Sequence, residues 1–239
     1  VSKYGVKALY WVDDTLIANK SRIKEICDML VDEKLNKKFI WSCQLRANLV
    51  DEEIFSWLKK AGCVQVEFGF ESGCQKVLSI IKCGNVTVKQ NASAILLAKQ
   101  AGLRVLGNFV IGNPGETKQD ILETIDFVKN NPLDFVHPHI ATPFPGSHYW
   151  KLAVERKIVD ENNINWGAFQ MSTIQNNILV ADAIDAQELF SLYSEFERVA
   201  SEKNKNNYAL SGIKDLLNLA TLKRVIKKPL SRIEINKPK

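Results

Sequence analysis

The chain has 239 residues, 46% of them apolar and 25% charged. That length supports one α/β domain with a real core, and no run of about 18 apolar residues is present to span a bilayer as a helix. The net charge is +5, from 32 basic and 27 acidic residues. The surplus gathers at Lys223, Arg224, Lys227, Lys228, Arg232, Lys237 and Lys239. With no aromatic residue interleaved after Tyr208, this reads as a solvated basic tail rather than a nucleic-acid arm.

In chain order, Ala8–Val12 is a short apolar strand running into Asp13-Asp14-Thr15. Asn19-Lys20-Ser21 opens a helix whose apolar positions Ile23, Ile26, Cys27, Leu30 and Val31 recur at helical spacing. Phe39–Leu45 is the next strand. Asp51 starts a helix through Ile54, Phe55 and Leu58, which Gly62 stops. Val64–Glu71 alternates strictly. Val64, Val66, Phe68 and Phe70 are expected to pack under helices, and Glu67 and Glu71 to face the inside of a barrel. Gln75–Ile81 reads as a short helix, and Thr87 caps a longer one over Val88–Ala101. Arg104–Ile111 is a strand with the tight exit Gly112-Asn113-Pro114-Gly115-Glu116-Thr117, and Asp120–Lys129 is a helix. Asp134–Ala141 is a strand, and Ser147 caps a helix through Val154. Asp160–Val180 is irregular. Further helices are expected over Ala186–Lys203 and Tyr208–Val225, with a frayed tail after Lys227.

Five strand–helix units at this rhythm imply a parallel (β/α) barrel. Ligands in such sheets sit at the carboxyl ends of the strands. Asp13, Asp14, Arg46, Glu71, the Gly112–Thr117 loop and Thr142 would converge there. They offer carboxylates for ribose hydroxyls or an ammonium, a cation for a carboxylate, and glycine backbone for a flat ring. No Ser-His-Asp arrangement and no phosphate loop of the Gly-x-x-x-x-Gly-Lys type is present. His137 and His139 share a strand face and could present two imidazoles to a metal. The five cysteines, Cys27, Cys43, Cys63, Cys74 and Cys83, contain no Cys-x-x-Cys pair. Their odd number, with no signal peptide, reads as reduced thiols in a cytoplasmic setting.

Three motifs are familiar in this order. They are Val66-Glu67-Phe68-Gly69-Phe70-Glu71-Ser72-Gly73, then Gly107-Asn108-Phe109-Val110-Ile111-Gly112-Asn113-Pro114-Gly115-Glu116-Thr117, then Ala141-Thr142-Pro143-Phe144-Pro145-Gly146-Ser147. Together with Trp11-Val12-Asp13-Asp14-Thr15 and Trp41-Ser42-Cys43-Gln44-Leu45-Arg46, the sequence resembles the radical S-adenosylmethionine superfamily. It is most similar to the branch with an upstream cobalamin-binding domain. The resemblance implies an α/β fold, a partial (β/α)6 TIM-like barrel with strands two to six present over residues 1–155. It leaves 156–182 as an irregular extension and 183–239 as a C-terminal helical region with a basic tail. The cofactor-binding residues it implies are Asp13, Asp14, Arg46, Glu71, Asn108, Val110, Gly112 and Thr142.

The implied enzyme reduces S-adenosylmethionine at a [4Fe–4S] cluster, releases a 5′-deoxyadenosyl radical and acts on a small-molecule or lipid-like substrate. Cobalamin-dependent methyl transfer is the outcome implied if that cofactor is bound upstream. An electron donor such as a flavodoxin or ferredoxin is implied as partner. The Cys-x-x-x-Cys-x-x-Cys triplet that holds such a cluster is absent, and so is the first strand, so the chain reads as the downstream part of an enzyme. The alternatives are a non-catalytic barrel scaffold and, more remotely, a metal-dependent hydrolase using His137 and His139.

Overall fold

The computed structural model describes residues 4–13, 16–169 and 178–210, with the side chains of the last helix described through residue 205. Val1–Asn204 forms one compact unit and Lys205–Lys239 a second; the first carries the barrel. Five strands, β1 (Ala8–Trp11), β2 (Ile40–Leu45), β3 (Cys63–Glu71), β4 (Arg104–Ile111) and β5 (Phe135–Ile140), form one sheet in sequence order. Every neighbouring pair is parallel. Helices return the chain between strands, as parallel pairing requires. They are α1 (Lys20–Asp32), α2 (Glu52–Lys60), α3 (Gln75–Ile81), α4 (Val88–Gln100) and α5 (Lys118–Asn130), followed by α6 (His148–Glu155) and α7 (Ala186–Leu210).

Local chemistry sets the helix ends. The side chains of Asn19, Asp51 and Ser147 each accept a backbone N–H of the first turn. Thr87 with Gln90 and Thr117 with Asp120 form reciprocal capping boxes. Because Thr117 caps, α5 starts two residues earlier than its apolar periodicity announces. Gly62, at φ 93°, takes the left-handed position after α2 that a side chain would resist.

The outward face of the sheet is the core. Val66, Phe68 and Phe70 are 0–1% exposed and pack with Trp41, Phe109, Ile111 and Val136 under the helices. Phe70 and Phe109 lie 5.8 Å apart at a tilted angle, and Phe109 meets Phe196 of α7 at 5.8 Å. Leu189, Tyr193 and Phe196 of α7 belong to the same core. A smaller core joins Ala141, Trp150, Ala153, Val159 and Val180.

Two expectations need correction. Val64 is not part of the buried row. The ladder between β2 and β3 shifts register at Trp41/Ser42, with Trp41 opposite Cys63 and Ser42 opposite Gln65. Val64 is the extra residue of a bulge, and Cys63, 1% exposed, takes the core position instead. The helix over Ala186–Lys203 does not stop at Lys203. It runs to Leu210, since no glycine or proline interrupts Ser201–Leu210. From residue 211 on, the second expected helix lies outside the described residues.

Candidate functional site

The inward face of the sheet is polar because successive strands place polar side chains at alternate positions. Gln44 of β2 is opposite Glu67 of β3, and Gly69 is opposite Asn108 of β4, which is in turn opposite His137 of β5. These rows hold one network. Tyr10 donates its hydroxyl to Glu67 Oε2 at 3.0 Å, and Gln44 Nε2 donates to the Tyr10 oxygen at 2.7 Å. Asn108 Nδ2 donates to Glu67 Oε1 at 2.6 Å. Burial first, and then the hydrogen bond to the Glu67 carboxylate, hold the Tyr10 phenol above its ordinary pKa.

Above this network a cavity of about 380 Å³ opens, within the range usual for small-molecule sites. Gln44, Arg46 and Asn48 line it from the β2 side, and Glu67, Gly69 and Glu71 from β3. Lys82, Asn91 and Asn108 complete the polar wall. Glu71 arrives there by a route that alternation does not describe. The β3–β4 register slips between Gly69 and Glu71, so Glu71 is paired with Phe109, and its backbone is left-handed at φ 62°. That conformation folds the carboxylate back over Gly69, where a β-carbon would sit 2.6 Å from Glu71 Oε1. Lys82, the residue that ends α3, donates to Glu71 Oε1 at 2.8 Å, with the two side chains 26% and 22% exposed.

Three expected site residues therefore meet in the cavity: Arg46, Glu71 and Asn108. Arg46 is exposed and forms no ion pair with the described residues. Asp51, at the start of α2, is held by Lys20 at 2.6 Å. Asp13 pairs with Arg22 at 3.2 Å and does not line the cavity. Asp14 lies outside the described residues. Val110, Gly112 and Thr142 sit at the exits of β4 and β5, outside the cavity wall. Val110 packs against the smaller core, Gly112 is left-handed at φ 79° beside Leu189, and the Thr142 hydroxyl donates to the Ile140 carbonyl at 3.0 Å.

Among the site residues that escaped the sequence reading are Tyr10, Asn48, Lys82 and Asn91. Only Asn91 carried a signal. It occupies the buried stripe of α4 with Ala94, Ile95 and Ala98, where a polar residue demands a partner. Its Nδ2 donates to the Phe70 carbonyl at 3.3 Å, but its Oδ1 is buried with no partner among the described residues, as is Asn48 Oδ1. An unmet buried acceptor costs about 1–3 kcal/mol. Both residues line the cavity, although these two oxygens are sealed from solvent. The spare oxygen of Glu71 and the cations Arg46 and Lys82 suit ribose hydroxyls and a carboxylate. This donor and acceptor set fits S-adenosylmethionine.

The cysteines do not fit an iron–sulfur cluster. Among the described residues, no group of three Cys, His, Asp or Glu side chains is placed to hold a metal ion. His137 and His139 thus gain no third metal ligand. Burial pushes the Cys27 thiol up to about 12 and the Cys74 thiol up to about 11, away from the thiolate a metal needs. Cys43 is raised by its hydrogen bond with Cys63 and then by burial. His139 is lowered by burial and then by His137, and its Nδ1 has no partner among the described residues. No helix among the described residues is long and apolar enough to cross a membrane.

Comparison with known proteins agrees with this geometry. The chain is 35% identical over 164 residues to an uncharacterized methyltransferase of Pyrococcus horikoshii, covering 69% of this chain and 35% of that protein. It spans about a third of the length of such curated relatives. Two solved structures share the fold. Coproporphyrinogen III oxidase of Escherichia coli, described as a radical SAM enzyme, has a TM-score of 0.57 at 14% identity, covering 83% of this chain and 41% of that one. The radical S-adenosylmethionine methyltransferase TsrM of Kitasatospora setae, with tryptophan and a cofactor analogue bound, has a TM-score of 0.55 at 17% identity, covering 63% and 30%. Residues 2–128 match the family description of the radical SAM superfamily, and the chain belongs to that superfamily of enzymes.

Proposed function

We propose that the lumen cavity binds S-adenosylmethionine, and that the protein containing this chain uses it to modify a small organic or lipid-like substrate. Methyl transfer is the reaction class we favour, because the relative from Pyrococcus horikoshii carries a methyltransferase name. Cobalamin, bound by a segment other than the residues described here, belongs to this reading, as does an iron–sulfur cluster whose ligands are not among the described cysteines. A flavodoxin-like or ferredoxin-like electron donor completes it. The bound cofactor supplies the methyl group or the reactive carbon fragment. The chain's own residues bind and orient it: Glu71 accepts from ribose hydroxyls, Asn48 and Asn91 shape the cavity wall, and the barrel walls exclude water.

The carrying observation is the polar cavity of about 380 Å³ on the inner face of the sheet, which gathers Arg46, Glu71, Lys82 and Asn108 around one space. A barrel kept only as a scaffold has no need of them. Isothermal titration of the chain with S-adenosylmethionine tests the reading. Removing a charge-assisted hydrogen bond costs about 1.5–3 kcal/mol, so Glu71→Gln should weaken binding by about 10- to 150-fold. Glu188→Gln, in a surface pair with Lys118, should leave it unchanged. Equal affinity in Glu71→Gln and wild type would overturn the assignment.

A further inference from the structure

β5 carries two histidines that neither a metal nor the cofactor claims. His137 and His139 alternate with Val136, Pro138 and Ile140, which are buried, so both imidazoles leave the sheet on its inner face. His137 is opposite Asn108, which lines the cavity, and His139 stands one step nearer the carboxyl ends of the strands. β5 is the edge strand of the described sheet, and α7 holds its free edge. Asn204 Oδ1 accepts the Val136 N–H at 2.9 Å, and Asn204 Nδ2 donates to the Val136 carbonyl at 3.1 Å. The Tyr193 hydroxyl shares its proton between the Pro138 carbonyl at 3.3 Å and Glu197 at 3.0 Å. These bonds fix the backbone on both sides of His137 and directly before His139.

The two nitrogens of the half-buried His139 ring are unlike. Nδ1 is sealed from solvent and has no partner among the described residues; Nε2 is not sealed and has no hydrogen bond to them either. A proton on Nδ1 would be a buried donor with no acceptor, so the ring proton belongs on Nε2. The imidazolium needs a proton on both nitrogens and meets the same penalty. Glu67 and Glu71 of β3, Glu197 of α7 and His137 face the ring. Burial and His137 outweigh the three carboxylates and hold it below its ordinary pKa. His139 is therefore a neutral, fixed, single donor.

We propose that His139 binds the substrate, its Nε2–H donating to a neutral acceptor such as a carbonyl oxygen or ring nitrogen, and that it selects against an anion at that point. This rests on the neighbouring cavity being the S-adenosylmethionine site. A carboxylate or phosphate placed there would meet a neutral imidazole instead of a cation. It would also face Glu67, whose charge is met among the described residues by the neutral donors of Tyr10, Gln44 and Asn108. A carbonyl needs only the one donor and brings no charge to oppose.

The test uses the 239-residue chain saturated with S-adenosylhomocysteine. Benzamide and benzoate serve as probes of nearly the same shape, one neutral and one charged. Long-range proton–nitrogen NMR spectra report the tautomer and should show His139 neutral, with its proton on Nε2, near neutral pH. Benzamide should bind more tightly than benzoate and shift that Nε2 resonance. His139→Leu should weaken benzamide about 3- to 10-fold, and His139→Gln, which keeps an N–H, should retain most of the affinity. Absence of a benzamide shift, a proton on Nδ1, tighter binding of benzoate, or equal benzamide affinity in His139→Leu and wild type would overturn the inference and leave the cofactor reading standing. A wild-type chain that does not bind S-adenosylhomocysteine would overturn the cofactor reading, and this inference with it.

Discussion

Glu116 is the group whose environment most clearly opposes its charge. It is 1% exposed. Its Oε2 accepts the Asn113 backbone N–H and the Asn113 side-chain amide, both at 2.9 Å, and Tyr149 holds that amide from the other side at 3.0 Å. Its Oε1 is buried with no partner among the described residues. Burial pushes the carboxyl up from 4.5 to about 7, against the Asn113 hydrogen bonds that favour the anion. At about 1.4 kcal/mol per pH unit, ionising it in the folded state costs about 3 kcal/mol. The folded carboxyl holds its proton more tightly than the unfolded one. Its contribution is therefore complete below about pH 4.5 and is lost as pH rises through about 7. Glu116→Gln keeps an oxygen for Asn113 and never ionises. In urea unfolding, the variant should match wild type near pH 5 within about 1 kcal/mol and exceed it by about 2–3 kcal/mol at pH 8. A difference that does not grow between pH 5 and pH 8 would refute the argument.

Asp120 gives the opposite sign. Burial pushes its carboxyl up, but Lys76 at 2.7 Å and the Thr117 backbone and hydroxyl outweigh that and hold it well below the usual range. Its stabilisation is present above about pH 4 and lost as pH falls further, so Asp120→Asn should cost about 2 kcal/mol at pH 7 and progressively less in acid unfolding. Gly73→Ala should destabilise by about 2–3 kcal/mol, since the added carbon would meet Phe127 Cβ and lie 2.9 Å from the Thr124 Cα. Calorimetry should show a midpoint lower by about 4–12 °C; an unchanged midpoint would mean that β3's exit and α5 can part without cost.

The layout of the barrel was written in short-range chemistry. Caps at Asn19, Asp51, Thr87 and Ser147 mark helix starts because each depends on one side chain and a backbone N–H within a turn. The β3 alternation predicts its buried row from Val66 onward for the same reason. The failures within β3 share one cause: period two assumes an unbroken ladder, and a bulge depends on the partner strand. Val64 and Glu71 sit at the two register slips, so counting misplaces the first. It brings the second to the lumen without its left-handed turn. The Glu71–Lys82 pair joins residues 11 apart across a turn and a helix, and no pattern in either segment announces it. Asn91 alone was legible in principle, as an amide in an apolar stripe. The stripe of α7 was plain in sequence, but its partner Phe109 lies 87 residues upstream of Phe196 and is visible only in the fold.

The most direct measurement is a crystal structure of this chain grown with saturating S-adenosylhomocysteine. The account predicts the nucleoside in the barrel lumen with a ribose hydroxyl on Glu71. Ligand bound elsewhere on the molecule, with the lumen cavity empty, would contradict it.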